Sequence, residues 1–440
     1  MSGVAPLRHL GRIRLVAVGI NSVIGGGIFI LPATVTALIG AAGLPAYAVA
    51  GVVVVGIGLT LASLAARHEA SGGPYLYVHR AFGSFAGFQV GWLFCLARLT
   101  AMAGLMNGFA QYLGALAPWG TGLLPRTAMV LCCAGAVVGL NVAGIRHTSG
   151  AANLLAVVKV VPLVALGLAG LCFIRAERLV PTPFAPMDFL RAVLLLLYAF
   201  SGFEILTVPA EESLRPRRDL PFALIATILC VCAVYVLVHT AALGMLPGLG
   251  SDRAPLASAA GLIAGSAGRY AMTAIAAVSM AGCSLVSLVG ATRLLYAMSS
   301  AGQIPAWMGA LHAARRTPVA ASLLVGGLAT VMAIAGGYAE LAAVSAGTRL
   351  LVFLACCLAC LRPEREGPGL PGLGPRDPRA QGPERWGRIV ALPSAVAIVA
   401  LLSGVEPREA AAGMIGVGTG LILYLAARRG RRADKGEEAR

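Results

Sequence analysis

Long apolar runs recur along the whole of this 440-residue chain, and they constrain its fold more than any other feature. An α-helix needs roughly 20 apolar residues to cross the hydrocarbon core of a bilayer. Only 12% of the residues are charged, against ~25% in an average globular protein, and the mean hydropathy is +0.84. The sequence therefore predicts an all-α membrane protein with twelve transmembrane helices, at residues 14–38, 43–66, 84–116, 127–145, 151–174, 189–211, 221–247, 270–298, 318–336, 341–361, 388–405 and 410–427.

The positive charges lie between these runs and are divided unevenly. If the N-terminus is cytoplasmic, the cytoplasmic segments hold about 23 Lys and Arg residues and the external loops hold about six, as expected for cytoplasmic loops. The sequence thus predicts a multi-pass protein of the cell membrane, with a cytoplasmic N-terminal segment, 1–13, and a cytoplasmic tail, 428–440. The formal charge of +16 forms no basic stripe with interleaved aromatic residues, so no nucleic-acid partner is expected.

A segment rich in proline, glycine and arginine, 362–387, separates ten predicted spans from a final pair, 388–427. This composition is typical of an irregular linker. The ten spans divide into two sets of five, 14–174 and 189–361. Many secondary transporters are built from two inverted repeats of this kind, in which the first and sixth spans occupy equivalent positions.

Three consecutive glycines at 25–27 interrupt the first span, although each costs roughly 1 kcal/mol relative to alanine inside a helix. The sixth span has Ser201, Gly202 and Glu204 in its apolar middle. Breaks at equivalent positions predict a substrate site, because unwound backbone in a membrane needs partners from protein, water or a ligand. Freed N–H groups suit a carboxylate and freed carbonyls suit an ammonium, so an amino acid fits. Alternatively, the glycines only permit close helix packing.

Four ionisable residues stand out within the apolar runs, where a charge costs roughly 2.5–3.5 kcal/mol and usually marks function. Lys159 can lose its proton when desolvated, so it is either a proton carrier or a structural ammonium that binds freed carbonyls. Glu204 orients the broken backbone, relays protons or is simply hydrogen-bonded within the break. Arg98 pairs with Glu204, has a structural role between helices or binds an acidic group of the substrate. The fourth residue, Arg349, lies in the tenth span.

Four stretches in order along the chain carry a family resemblance. They are SVIGGGIFILPA from Ser22, ASGGPYLYVHRAFG from Ala70, AFSGFE from Ala199 with PAEESLRPRRDLPFAL after it, and LLYAMSSAGQIPAWMGALHAARRTPVAA from Leu294. Together they resemble the amino acid–polyamine–organocation superfamily of transporters over about residues 10–430. The resemblance implies a LeuT-type fold of two inverted five-helix repeats and two further helices, with helices 1 and 6 unwound at the midplane.

The resemblance also implies roles by position. The two breaks would bind the substrate's carboxylate and amine, Tyr198 would act as an aromatic gate, and Lys159 would replace a sodium ion, which favours proton coupling. Residues of the third and eighth spans would face the substrate's side chain, although an arginine there departs from the family pattern. The expected proton-coupling residues are Lys159 and Glu204, and the expected substrate-binding residues are Val23, Ile24, Gly25, Gly26, Gly27, Tyr198, Phe200, Ser201, Gly202, Arg98, Met102 and Ser287.

These observations predict a secondary active transporter that moves an amino acid, a neutral one in preference, by alternating access with proton coupling. The alternatives are an exchanger, a transporter of an acidic amino acid or another organic ion, and a non-transporting sensor on the same fold. Scattered histidines and the lack of nucleophile, zinc or ATP-binding motifs argue against an enzyme or a primary pump. The expected partners are the amino acid, the proton and the lipid bilayer, with no cofactor and no metal.

Overall fold

In the computed structural model of this protein, helices make up most of the described residues, which are 12–67, 73–116, 120, 122–144, 149–204, 206, 216–312, 317–362 and 381–437. No β-strand occurs in those residues. The α-helices are α1 (Arg12–Val23), α2 (Gly27–Ile39), α3 (Gly43–Arg67), α4 (Gly73–Phe82), α5 (Ser84–Gly114), α6 (Leu123–Ala143), α7 (Ser149–Gly170), α8 (Pro186–Phe200), α9 (Pro216–Met245), α10 (Pro255–Ser300), α11 (Val319–Ala335), α12 (Tyr338–Leu361), α13 (Gln381–Leu402) and α14 (Pro407–Glu437).

Seven helical stretches of the described residues are long and apolar enough to cross a membrane. They are Gly27–Ala66, Ser84–Gly114, Leu123–Ala143, Arg218–Met245, Pro255–Ser300, Tyr338–Leu361 and Pro407–Ala427. Three shorter apolar helices accompany them, at Val157–Phe173, Val319–Ala335 and Trp386–Leu402. The protein is thus all-helical in its described part and has the composition of a membrane protein, while the number of twelve spans stays a prediction.

The helices depart from the predicted spans in several places. α13 begins at Gln381 and α14 continues to Glu437, so parts of the segments predicted as an irregular linker, 362–387, and a tail, 428–440, are helical. The first span is two helices, α1 and α2, and the sixth ends at Phe200, with 207–211 outside the described residues. The eighth span lies in α10, which is kinked at the non-helical residues Ala264 and Gly265, so a separate helical segment from Pro255 precedes the part that matches the prediction. The sequence analysis also missed α4, because its ten residues are too few to cross a bilayer. A hydropathy pattern records apolarity and not backbone angles, so it cannot place these ends.

Two compact units make up the chain, and each combines separate segments of sequence. The first contains residues 1–81, 147–275 and 353–404, and the second contains 82–146, 276–352 and 405–440. Both units therefore draw helices from each of the two predicted five-span repeats.

In the first unit, α9 packs against α1, α3 and α7, and α2 packs against α8. Small residues allow these approaches: a Cβ on Gly167 of α7 would stand 2.6 Å from Cγ of Leu237, and one on Gly170 would stand 2.7 Å from Cβ of Ala241. Helices in lipid associate through such close contacts, because lipid and side chains are equally apolar. The glycines of α7 therefore allow α7 to pack closely against α9.

The second unit is organised around α5, which packs against α6, α11 and α14. Its core includes Met102, Met106, Val130 and Ala329, and α5 is buried along most of its length. Two polar side chains support the end of α11. Asn107 Nδ2 donates to the carbonyls of Ala333 and Gly336 at 3.0 and 2.8 Å, and Arg126 Nη2 donates to the same carbonyls at 3.3 and 2.9 Å.

We expect Asn107→Leu to lower the free energy of unfolding by about 1–3 kcal/mol, because helix-end carbonyls lose a buried donor. The measurement is the thermal unfolding of the purified protein in detergent. Arg293→Met, an exposed position on α10, is the control and should leave the unfolding temperature unchanged. Equal unfolding temperatures for Asn107→Leu and the unmodified protein would contradict this role.

Candidate substrate site at the interrupted helices

The first interruption separates α1 from α2. Residues 24–26 form bends, and α2 begins at Gly27. Ile24 N donates to Ile20 O at 2.9 Å and Phe29 N donates to Gly26 O at 3.1 Å, so one helix ends and the next begins within three residues. A helix end presents carbonyls and a helix start presents N–H groups that have no acceptor in their own helix. Both kinds of backbone group therefore occur together here.

The second interruption follows α8. The Tyr198 carbonyl accepts hydrogen bonds from Ser201 N at 3.1 Å and from Ser201 Oγ at 2.6 Å. Gly202 has φ +114°, a conformation that residues with a side chain rarely adopt, and its N–H donates to Glu204 Oε2 at 2.8 Å. Glu204 is 3% exposed. This carboxylate therefore binds the backbone directly after α8.

Glycine lets the two interruptions contact each other. A Cβ at Gly27 would stand 2.7 Å from Cα of Ala199, and a Cβ at Gly202 would clash with the carbonyl oxygen of Ser22. Side chains do not fit at such distances, so both positions require glycine. Gly27 and Gly202 thus permit close packing of the two interruptions. The same packing brings the end of α1, the start of α2 and the end of α8 to one place in the first unit.

Lys159 of α7 reaches the first interruption. Its Nζ donates to the Ile24 carbonyl across 3.4 Å, and its side chain is 4% exposed. Val157, Val158 and Val161 of the same helix are exposed. The amine therefore points into the protein while α7 presents apolar side chains on its other face, as expected for a charged residue in a membrane helix.

Tyr235 of α9 contacts both interruptions and was missed by the sequence analysis. Its OH lies 3.2 Å from the carbonyl oxygen of Val23, at the end of α1, and 3.0 Å from that of Ala199, near the end of α8. One hydroxyl proton serves these two acceptors, so Tyr235 shares it between them or alternates. The Phe200 ring packs on it, with centroids 5.4 Å apart. The sequence feature that could have indicated its role is an isolated tyrosine within the apolar run 221–247.

The residues expected at the substrate's side chain belong to the second unit. Arg98 and Met102 lie one turn apart on α5, both buried, and Ser287 is half-buried on α10. The guanidinium carbon of Arg98 lies 4.7 Å from the centre of the Phe94 ring, and that of Arg349, on α12, lies 5.9 Å from it. Such distances permit cation–π attraction. A second arginine at this ring was not expected from the sequence.

The other expected site residues lie together in the first unit, at or next to the two interruptions. They are Val23, Ile24, Gly25, Gly26, Gly27, Lys159, Tyr198, Phe200, Ser201, Gly202 and Glu204. Residues 10–418, which include these elements, match the amino acid permease family. The chain belongs to that family. The resemblance to the amino acid–polyamine–organocation superfamily is thereby confirmed.

Several relatives are similar to this permease over most of its length. It is 27% identical over 391 residues to the branched-chain amino acid permease BcaP of Bacillus subtilis (strain 168), which covers 83% of this chain and 82% of that protein. It is 25% identical over 355 residues to the serine/threonine exchanger SteT of the same organism, covering 77% and 79%. It is also 27% identical over 381 residues to the vacuolar cationic amino acid transporter 4 of Arabidopsis thaliana, covering 81% and 63%.

The family and the apolar helices together make this chain an integral membrane protein of the amino acid permeases. Its relatives are transporters by name, and the interrupted helices offer the backbone groups that an amino acid's carboxylate and ammonium require.

We expect Tyr235→Phe to weaken substrate binding by about 2–10-fold, because two backbone carbonyls lose their shared donor, which is worth about 0.5–1.5 kcal/mol. Binding is measured by competition with a labelled amino acid in detergent. Tyr270→Phe removes an exposed hydroxyl from α10 and is the matched control. Unchanged affinity in Tyr235→Phe would show that its hydroxyl does not support the site.

Proposed function

We propose that this permease is a secondary active transporter that moves an amino acid across the membrane by alternating access. The observation that carries the proposal is the contact between the two interruptions, with Gly27 against Ala199 and Gly202 against Ser22. N–H groups at the start of α2 bind the substrate's carboxylate. Carbonyls at the ends of α1 and α8 bind its ammonium group.

The proposal includes the LeuT-type arrangement, with twelve spans, unwinding at the midplane and both termini in the cytoplasm. The division into two units supports it. The first unit contains the helices of predicted spans 1, 2, 5, 6 and 7, and the second contains those of spans 3, 4 and 9 with most of spans 8 and 10. An inverted repeat relates each span to the one five places later, so four of the five related pairs share a unit, and spans 5 and 10 do not.

Proton coupling through Lys159 is the second part of the proposal. Its ammonium group binds the Ile24 carbonyl at the end of α1, and a neutral amine donates a weaker hydrogen bond than an ammonium does. Loss of the proton therefore loosens α1 from α7. Glu204 acts with it by holding the backbone after α8.

A neutral amino acid is the proposed substrate. Glu204 is the one carboxylate that the structure places at the interruptions among the described residues, which disfavours a substrate with extra positive charge. Two relatives are named for branched-chain amino acids and for serine and threonine. An acidic amino acid is the alternative that Arg98 favours, and exchange is the alternative that the exchanger relative favours.

Uptake into proteoliposomes tests the function. We expect a labelled neutral amino acid to enter and to be competed by one chemical class of amino acid. The panel contains leucine, serine, glutamate and arginine, with a dicarboxylate and a nucleobase as non-amino-acid controls. Uptake only in liposomes preloaded with amino acid would indicate exchange. Binding without uptake would indicate a sensor, and binding of the control compounds alone would refute amino acid transport.

Replacing Lys159 tests the coupling. We expect Lys159→Ala to abolish the stimulation of uptake by an inward proton gradient, because the protonatable group at the end of α1 is removed. Counterflow of labelled substrate, which needs no gradient, is measured on the same liposomes and should persist. If the proton gradient stimulates uptake by Lys159→Ala as strongly as uptake by the unmodified protein, Lys159 is not part of the coupling mechanism.

A further inference from the structure

A buried polar cluster lies beside the interruptions and is not used by the proposed mechanism. It consists of Thr36 on α2, Tyr47 on α3 and His239 on α9, all in the first unit. The rings of Tyr47 and His239 meet edge to face, with centroids 5.3 Å apart and an interplanar angle of 68°. Nε2 of His239 lies 3.5 Å from Oγ1 of Thr36. Both rings are 0% exposed.

Two polar atoms of this cluster have no hydrogen-bond partner among the described residues. They are the hydroxyl oxygen of Tyr47 and Nδ1 of His239, and both are buried. Nearly all buried polar groups in proteins are satisfied, so two exceptions in contacting side chains require an explanation. A neutral imidazole has one donor nitrogen and one acceptor nitrogen. A site with a spare ring nitrogen and a spare hydroxyl can take up a proton or a water molecule that carries one.

The ionisable groups around α9 do not supply a counter-charge. Tyr47 of α3 contacts the His239 ring, whereas Lys159 of α7 donates to the Ile24 carbonyl. The ion pair between Arg12 of α1 and Asp219 lies at the start of α9, and α2 has no ionisable residue. The turns packed on α9 carry Cys172, Glu177 and Arg178, and α9 itself carries Cys230 and Cys232. Arg178 donates to the Gly244 and Met245 carbonyls.

No carboxylate of the described residues contacts the imidazole. A buried imidazolium without an anion costs far more than a neutral ring, so His239 is neutral in the arrangement seen here. Protonation therefore requires water to reach the ring. Thr36 and Tyr47 cover it, so α2 and α3 must move away from α9 before the proton binds.

We propose that Thr36, Tyr47 and His239 form a proton-binding site that is buried in this arrangement and takes up a proton when α2 and α3 separate from α9. The site is connected to both interruptions. α2 begins at Gly27, which packs on Ala199, so a displacement of α2 changes that contact as well as the one to Thr36. Binding of a proton and the arrangement of the interruptions are therefore linked.

The Tyr47 ring also lies 6.1 Å, between centroids, from the ring of Tyr235, whose hydroxyl contacts the Val23 and Ala199 carbonyls. The effect of the site on transport rests on the proposed function. Proton binding by His239 does not, and it is measured separately.

Proton binding is tested on the whole protein in detergent, labelled with 15N-histidine. The His239 resonance is identified by its loss in His239→Gln. We expect it to titrate within roughly pH 4–8 while the protein stays folded, and Thr36→Val to move the midpoint by up to about one pH unit. A resonance that stays neutral over the whole pH range in which the protein is folded overturns the proposal.

The consequence for transport is tested by the pH profile of uptake. We expect the change in initial rate between roughly pH 5.5 and 7.5 to shrink at least about 3-fold in His239→Gln. His312→Gln, at an exposed histidine, is the matched control and should keep the original profile. An unaltered profile in an active His239→Gln protein overturns the link to transport. If no variant and no unmodified protein transports an amino acid, the proposed function fails and the titration alone decides on the site.

Discussion

A backbone group inside a membrane must find a partner within the protein, because hydrocarbon offers none and each unsatisfied N–H or C=O costs several kcal/mol. The first unit is organised around this constraint. Its chain leaves the helical conformation after Val23 and again after Phe200, which creates helix ends where a continuous span would have none. Lys159, Tyr235 and Glu204 each bind backbone at these ends. Contacts of this kind allow an interruption to exist without a permanent ligand.

The side chains that contact the interruptions come from different helices. α9 packs against α1, α3 and α7 and supplies Tyr235, which contacts both interruptions. Tyr235 and His239 are four residues apart, on one face of α9, and the Tyr47 ring contacts both. α9 also packs closely against α7, because Gly167 and Gly170 of α7 have no side chains to keep the two helices apart. α9 thus has polar side chains that contact the helix ends, and it also packs against the small residues of α7.

Opposite charges hold the two interruptions. Lys159 binds a carbonyl at the first, and Glu204 binds an N–H group at the second. An amino acid zwitterion has the same two charges, so its ammonium group would bind backbone carbonyls and its carboxylate would bind backbone N–H groups, as Lys159 and Glu204 do. Lysine can release a proton inside a protein and arginine effectively cannot. The proposed coupling role therefore gives a reason for lysine at 159 in a chain that otherwise uses arginine almost throughout.

The sequence by itself determined the class of protein and the places where its helices weaken. Apolar runs long enough to cross a bilayer, the glycines at 25–27 and the isolated Lys159 are visible as composition and spacing, and four short stretches indicated the family. The tertiary structure decided where α8 ends, that α10 is kinked at Ala264 and Gly265, and that a ten-residue helix, α4, precedes α5. It also decided that Tyr235 serves both interruptions and that His239 meets Tyr47. Those contacts join residues far apart in the chain through helix packing, and a pattern read along one chain contains no distance between helices.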